Sequence, residues 1–447
     1  MKKSLLRLAT GLLLALPAAS LFAADVANIE VPAEITERTL ENGLKVVVWP
    51  DADIPNVALY TWYRAGGRNE YPGITGLAHY FEHMMFNGTK NLEPGEFDRI
   101  MEASGGANNA YTSQDVTVYQ DWFPNSALET IMQLESDRMA NLDFDPEVVE
   151  SERGVVYSER RTSVDNNNLR ALLEELQAAA FIAHPYQSPV IGWASDIENW
   201  KMQDLKDFYR TYYAPNNATM FVVGDVDPQR IFDLAETYFA EIPAQPAPEP
   251  ITTVEPQQQG ERRITLKRPA QSPLLQMAWH IPAAGHADRP ALALLETILT
   301  DGDSSRLVRS LVEEQQLAIS FGSYQYDGFD PGLAIFYATL PGDGDVAALE
   351  AAIDAELQRV IDEGVSQAEL ERARNVKLAN FYRSIATISG KAQALGSFDT
   401  FHGDWRALFS APDAYAAVTV ADLQRVAREY FQKDNRTVGV LMPVDVK

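Results

Sequence analysis

The sequence predicts an α+β protein built from one unit used twice, and three observations carry that expectation. The run Asp204-Leu205-Lys206-Asp207-Phe208-Tyr209-Arg210-Thr211-Tyr212-Tyr213 aligns without gaps on Asp422-Leu423-Gln424-Arg425-Val426-Ala427-Arg428-Glu429-Tyr430-Phe431. At the same offset Asn217 meets Asn435 and Thr219 meets Thr437, so helix, loop and strand repeat together, as a duplication requires. Between the copies, residues 243–260 hold Pro243, Pro246, Pro248, Pro250 and Pro256 followed by three glutamines, the composition of a surface linker. Both halves also follow one rhythm of short apolar strands and longer helices. The expected division is a leader at 1–24, a first unit at 25–242, the linker, and a second unit at 261–447.

The leader has Lys2, Lys3 and Arg7 before an apolar run containing Leu12-Leu13-Leu14-Ala15-Leu16, then small residues and an expected cut near Ala23 or Ala24. That is the pattern of a secretory signal, too short and too interrupted by Gly11 and Pro17 for a membrane span. Export is therefore expected, to a periplasm where the source has an outer membrane. No later stretch is long and apolar enough to cross a bilayer. The chain has 37 basic against 63 acidic residues, a net charge of −26, which argues against nucleic acid and anionic membranes as partners. It has no cysteine, which excludes disulfides, thiolate metal sites and a lipid-modified cysteine.

In chain order, Thr39 to Val48 reads as a hairpin turning at Asn42-Gly43. Val57 to Tyr63 is a strand. A short helix near Phe97–Met101 precedes Gly105-Gly106, with strands expected at Asn108–Ser113 and Thr117–Phe123. Helices follow at about Asn125–Met139 and from Asp145-Pro146, where Asp145 caps and Pro146 takes the first helical position at no hydrogen-bond cost. Thr219 to Asp225 is expected to close the half as a strand. The second half should begin with a strand at Leu274–Ile281 and a helix at Pro290–Leu299. Another helix, two strands, long helices and a final strand complete it.

The chemistry is concentrated in His79-Tyr80-Phe81-Glu82-His83. On a helix His79 and His83 lie one above the other, with Glu82 on nearly the same face. Two imidazoles at that spacing can grip one zinc ion, and the carboxylate beside them can take a proton from water. A catalytic zinc needs a third protein ligand and one open position. The helix beginning at Pro146 offers Glu147, Glu150, Glu152 and Glu159, and spacing alone does not choose among them. Of the other histidines, His184 reads as a loop or core histidine, and His280, His286 and His402 lack an acidic helical partner at the right spacing.

His79-Tyr80-Phe81-Glu82-His83 followed by Glu152-Arg153-Gly154-Val155-Val156-Tyr157-Ser158-Glu159 resembles the pitrilysin-type (M16) zinc peptidases, the family of the mitochondrial processing peptidase and insulin-degrading enzyme. Gly66, Glu70, Gly76 and Phe86-Asn87-Gly88-Thr89 fit the same pattern, and the likeness covers nearly the whole chain beyond the leader. It implies two homologous repeats, each a mostly antiparallel β-sheet packed with α-helices. It implies one zinc held by His79, His83 and Glu159, with Glu82 as general base and Glu152 supporting the site from behind. By the same resemblance Asn109, Ala110, Tyr111 and Thr112 form an edge strand on which an extended peptide adds as a β-strand.

One departure changes the expectation. Self-sufficient members carry an arginine and, seven residues on, a tyrosine after an S-R-L segment. Here Ser305-Arg306-Leu307 is followed by Val312 and Ile319 at those positions. Neither can donate a hydrogen bond to an oxyanion, a contact commonly worth about 3 kcal/mol of barrier. Arg306 and Tyr324 are polar candidates for the role, but nothing in the sequence places either at the metal. The resemblance then points to the zinc-bearing subunit of a heterodimer whose homologous partner supplies the pair. The competing reading is a non-catalytic peptide-binding or scaffold subunit, against which stands the intact base, Glu82.

Overall fold

The computed structural model describes residues 30–444; the leader lies outside them. The first six strands are β1 (Thr36–Thr39), β2 (Lys45–Pro50), β3 (Asn56–Tyr63), β4 (Ala107–Thr112), β5 (Thr117–Pro124) and β6 (Ala218–Gly224). They form one sheet in the order β1-β2-β6-β3-β5-β4. The other five are β7 (Arg262–Arg268), β8 (Leu274–Ile281), β9 (Ser320–Gln325), β10 (Gly332–Thr339) and β11 (Arg436–Pro443), ordered β7-β11-β8-β10-β9. Without β1, the first order maps strand for strand onto the second. The registers agree as well: Lys45 lies opposite Thr219 in the parallel β2–β6 pair, and Arg262 opposite Thr437 in β7–β11. Each sheet has one parallel pair and is otherwise antiparallel, so the duplicated α+β unit is what the chain builds.

Most elements fall where the pattern places them, and two differ. A helix at Pro228–Phe239 follows β6, so the first half does not close on a strand; Asp227 caps it and Ile231, Phe232, Ala235 and Phe239 bury its inner face. Strand β7 was not expected, because its alternating charged residues leave one face half-open to solvent and give no apolar run. The proline-rich segment has no regular structure but is anchored. The Glu255 carboxylate accepts N–H bonds from Ile182, Ala183 and His184 at 2.9–3.0 Å, and Gln258 donates to the Arg436 carbonyl at 2.6 Å.

The central strands β2, β3 and β6 of the first sheet are buried on both faces. Val46, Val48, Val57, Leu59, Met220 and Val222 face the helices of the same half. Val47, Trp49, Ala58, Tyr60, Trp62, Phe221 and Val223 face Ile388, Ala392 and Leu395, on a helix from the second half (Ile388–His402). The second sheet receives the reciprocal cover. The helix Asn168–Ala180 sends Leu172 and Leu176 from the first half onto β7, β8 and β11. Glycine makes both close approaches possible. Leu172 and Leu176 methyls would lie 3.2 and 3.3 Å from a Cβ at Gly439, and a Cβ at Gly396 would collide with the Trp62 indole. Gly396→Val is therefore expected to cost about 1–3 kcal/mol or more through overpacking, read from the urea midpoint; an unchanged midpoint would show that this contact is loose.

A polar latch joins the halves beside the site. Buried Asp115 accepts hydrogen bonds from Tyr186 at 2.7 Å and from Tyr326 of the second half at 2.8 Å. Arg68 pairs with both Asp115 and Asp330, and His184, 3% exposed, contacts Asp330 at 3.1 Å. His184 is thus a structural histidine.

Candidate metal centre

The helix Leu77–Met84 carries the motif and is held at a fixed height by three contacts. Gly76 precedes it with φ +91°, in the left-handed region, and a Cβ there would lie 2.6 Å from the Ile191 carbonyl oxygen. Buried Glu70 accepts N–H bonds from Gly76 and Ala78, both 2.7 Å, satisfying donors left free at a helix start. Tyr80 donates to the Val149 carbonyl at 2.9 Å, tying this helix to Pro146–Arg160, whose Asp145 cap bonds the N–H groups of Glu147 and Val148. Arg153, on that second helix, donates to the carbonyls of Ile197 and Trp200 at 2.7 and 2.9 Å.

These supports bring three expected residues together. Glu159 Oε2 lies 3.6 Å from His79 Nε2 and 3.4 Å from His83 Nε2. One donor atom from each of the three falls within 4.8 Å of the others. The earlier acid, Glu152, turns away from that point and takes the other ring nitrogen, His83 Nδ1, at 2.7 Å. Its second oxygen accepts from Asn87 Nδ2 at 2.7 Å. Glu82 is outside the cluster, with Oε2 accepting a hydrogen bond from the Thr112 hydroxyl at 2.6 Å. Of the acids on that helix, only Glu159 falls in the group; Glu147 and Glu150 do not. Among the described residues no other group of three potential ligands converges in this way.

The electrostatics favour a cation here. Burial depresses His79 to about 4, with His83 adding to the effect, so its imidazole is neutral at pH 7 and free to ligate. Burial also disfavours charge on His83, but its bonds to Glu152 and Glu159 overcome this and push it up to about 9. Glu159 is held below its ordinary value by His83. Burial would raise Glu152, yet the hydrogen bond from His83 and that charge bring it below. Burial lifts Glu82, with its Thr112 bond acting the other way. His79 Nδ1 is a buried polar atom without a protein partner. Two imidazoles, one carboxylate and a carboxylate-oriented second nitrogen are the donor set of an open zinc site. Asn87 went unnoticed as a functional residue, although it follows His83 by one helical turn. Glu152→Gln is expected to lower metal affinity about ten- to hundredfold, measured by competition with a chelating dye; unchanged affinity would make the Glu152–His83 bond incidental.

Strand β4 is the outer strand of its sheet and ends at Thr112 beside Glu82. Asn109 is exposed and Ala110 packs partly against the core. Tyr111 turns to the opposite face, where Gln393 donates to its hydroxyl at 2.9 Å and Trp62 packs edge-on. A cavity of about 550 Å³ opens from the metal cluster to the second half and is lined by His79, Glu159, Thr112, Leu173, Tyr324 and Leu333 among others. Val312 instead packs against the second core, and Ile319 is 59% exposed. Arg306 is committed elsewhere, donating to Glu369 at 2.6 Å and Glu356 at 3.1 Å. Tyr324 does reach the cavity.

Comparison with known proteins identifies the family. Residues 45–193 match the model of the insulinase family, peptidase family M16, and residues 199–377 match that of the peptidase M16 inactive domain. The zinc protease PqqE of Helicobacter pylori is 33% identical over 91% of this chain and 92% of its own length. A crystal structure of a protease from the same organism superposes with a TM-score of 0.88 at 32% identity, over 92% of this chain and 99% of that one. The periplasmic protease PqqL of Escherichia coli shares the fold, with a TM-score of 0.76 at 20% identity, and 94% of this chain spans 48% of it. With both family models matched in order and the metal cluster inside the first, this chain belongs to the M16 family of zinc proteases.

Proposed function

We propose that the chain is a zinc-dependent endopeptidase acting on extended peptides, with His79, His83 and Glu159 as metal ligands and Glu82 as general base. The observation that carries this reading is the division of labour among four acidic and imidazole groups. Three converge on one point, while Glu82 stays outside it with its carboxylate held by Thr112. A metal-binding scaffold has no use for that free carboxylate.

Bound zinc supplies Lewis acidity to the scissile carbonyl and to an attacking water. Glu82 takes a proton from that water and returns it to the departing amine. Thr112 fixes the carboxylate for this transfer, and Glu152, steadied by Asn87, sets the ring orientation of His83. The peptide adds beside β4, where the Asn109–Thr112 backbone offers an unpaired strand edge and asks little of sequence.

The leader supports export to a periplasm. Val312 and Ile319, which cannot donate to an oxyanion, support work as one subunit of a heterodimer whose homologous partner contributes an arginine–tyrosine pair. The test is the zinc content of the purified chain, together with cleavage of a generic fluorogenic peptide by the chain alone and with its homologous partner. About one zinc per chain, weak cleavage alone and recovery with the partner are expected, all lost on chelation. Zinc without cleavage in either case would favour the scaffold reading, and full activity of a monodisperse homodimer would remove the need for a heterologous partner.

A further inference from the structure

The cavity beside the metal cluster is edged by a solvent-exposed charge that makes no ion pair among the described residues. Arg170, on the helix that the first half lends to the second, lines it, as does Tyr324 of β9. Among the described residues, the Arg170 guanidinium makes no hydrogen bond or ion pair, and neither does the Tyr324 hydroxyl. The other arginines close to the cavity are engaged: Arg160 is held by Glu174 at 2.8–2.9 Å and Arg68 by Asp115 and Asp330. Burial pushes the Tyr324 phenol up, so it keeps its proton, and Arg170 lies close enough for its charge to act weakly the other way. Glu174, the nearest acid on the same helix face, is already paired with Arg160, so the cavity keeps a positive end within a chain of net charge −26.

A free guanidinium and a free phenol hydroxyl on one wall form a donor set for a carboxylate, since Arg presents its N–H groups as a planar fork. Resting on the endopeptidase reading above, we propose that Arg170 and Tyr324 form a specificity subsite for a substrate carboxylate in the cavity that adjoins the metal cluster. That carboxylate is either an Asp or Glu side chain or the peptide's own C-terminus. The cavity wall is mixed, with Leu173, Phe181, Leu333 and Ile335 apolar and Asn167, Glu174 and Gln177 polar, so the charged fork of Arg170 is what would set an acid apart from its amide.

The test uses the full chain carrying Glu82→Gln, which should hold peptides without cutting them, and reads binding by fluorescence anisotropy. Three peptides form two pairs that differ only in one group: Glu against Gln side chains with amidated C-termini, and a free against an amidated C-terminus on the Gln form. Arg170→Gln should weaken the carboxylate-bearing peptide about tenfold or more while leaving its amide counterpart within twofold, and Arg170→Lys should restore part of the difference. Tyr324→Phe should lower the same preference by a smaller factor. In the cleaving chain the loss should appear in KM more than in kcat. Which pair responds identifies the source of the carboxylate. Equal binding of acid and amide peptides by the unsubstituted Arg170 chain overturns the subsite and leaves the endopeptidase reading intact. Binding of no peptide, by the chain alone or together with its homologous partner, overturns both.

Discussion

Replacing Glu82 by glutamine is expected to cut turnover about 10²–10⁴-fold while leaving the zinc content of the chain unchanged. Glutamine keeps the shape of the side chain and can still bond Thr112, but it has no basic oxygen with which to take a proton. The separation of the two readouts follows from position. His79, His83 and Glu159 converge, and the Glu82 carboxylate stands apart with Thr112 at 2.6 Å. Activity near that of the parent would remove Glu82 as the base. Loss of zinc would show that Glu82 helps to hold the ion.

The second large effect lies in the core beneath β5. Arg138, Glu135 and Asp121 are 1%, 2% and 1% exposed. Arg138 pairs with Glu135, its guanidinium stands 4.3 Å from the Tyr119 ring and 4.7 Å from Phe97, and Thr61 donates to Glu135 at 3.3 Å. Burial raises Asp121 above its ordinary value, with the Glu135 charge adding to it and Arg138 acting the other way, so one guanidinium serves two buried carboxyl groups. Arg138→Met should destabilise the fold by about 3–5 kcal/mol, because it leaves a buried carboxylate uncompensated. Arg138→Met with Glu135→Met should recover at least half of that, since both charges then leave together. Urea unfolding of the three proteins decides the matter. A single-variant loss below about 1 kcal/mol would mean that water or a proton already compensates Glu135.

Much of this centre was legible in the sequence because helices translate spacing into direction. His79, Glu82 and His83 had to share a face, and Asp145-Pro146 had to start the helix that delivers Glu159. The choice of Glu159 over Glu147, Glu150 and Glu152 was not legible from spacing, since it depends on how two helices cross. The same limit hid Asn87, whose role appears only when Glu152 arrives from the other helix. Strand β7 escaped because an alternating charged strand at a sheet edge buries little. Arg170 escaped for a different reason: an exposed, unpaired arginine on a helix reads as a solvated charge, and only the fold brings it to the edge of the same cavity as Tyr324 of β9.

The reciprocal helices also set an order of events in the growing polypeptide. All strands of the first sheet are present once residue 224 has emerged, but the helix that covers Val47, Trp49, Tyr60, Trp62 and Phe221 begins at Ile388. At a synthesis rate of about 5–20 residues per second the interval lasts about 10–30 s. Throughout it, a broad aromatic surface has no intramolecular cover. Chaperone holding during that interval, and aggregation of any product truncated before Ile388, follow directly from lending a helix across the repeat.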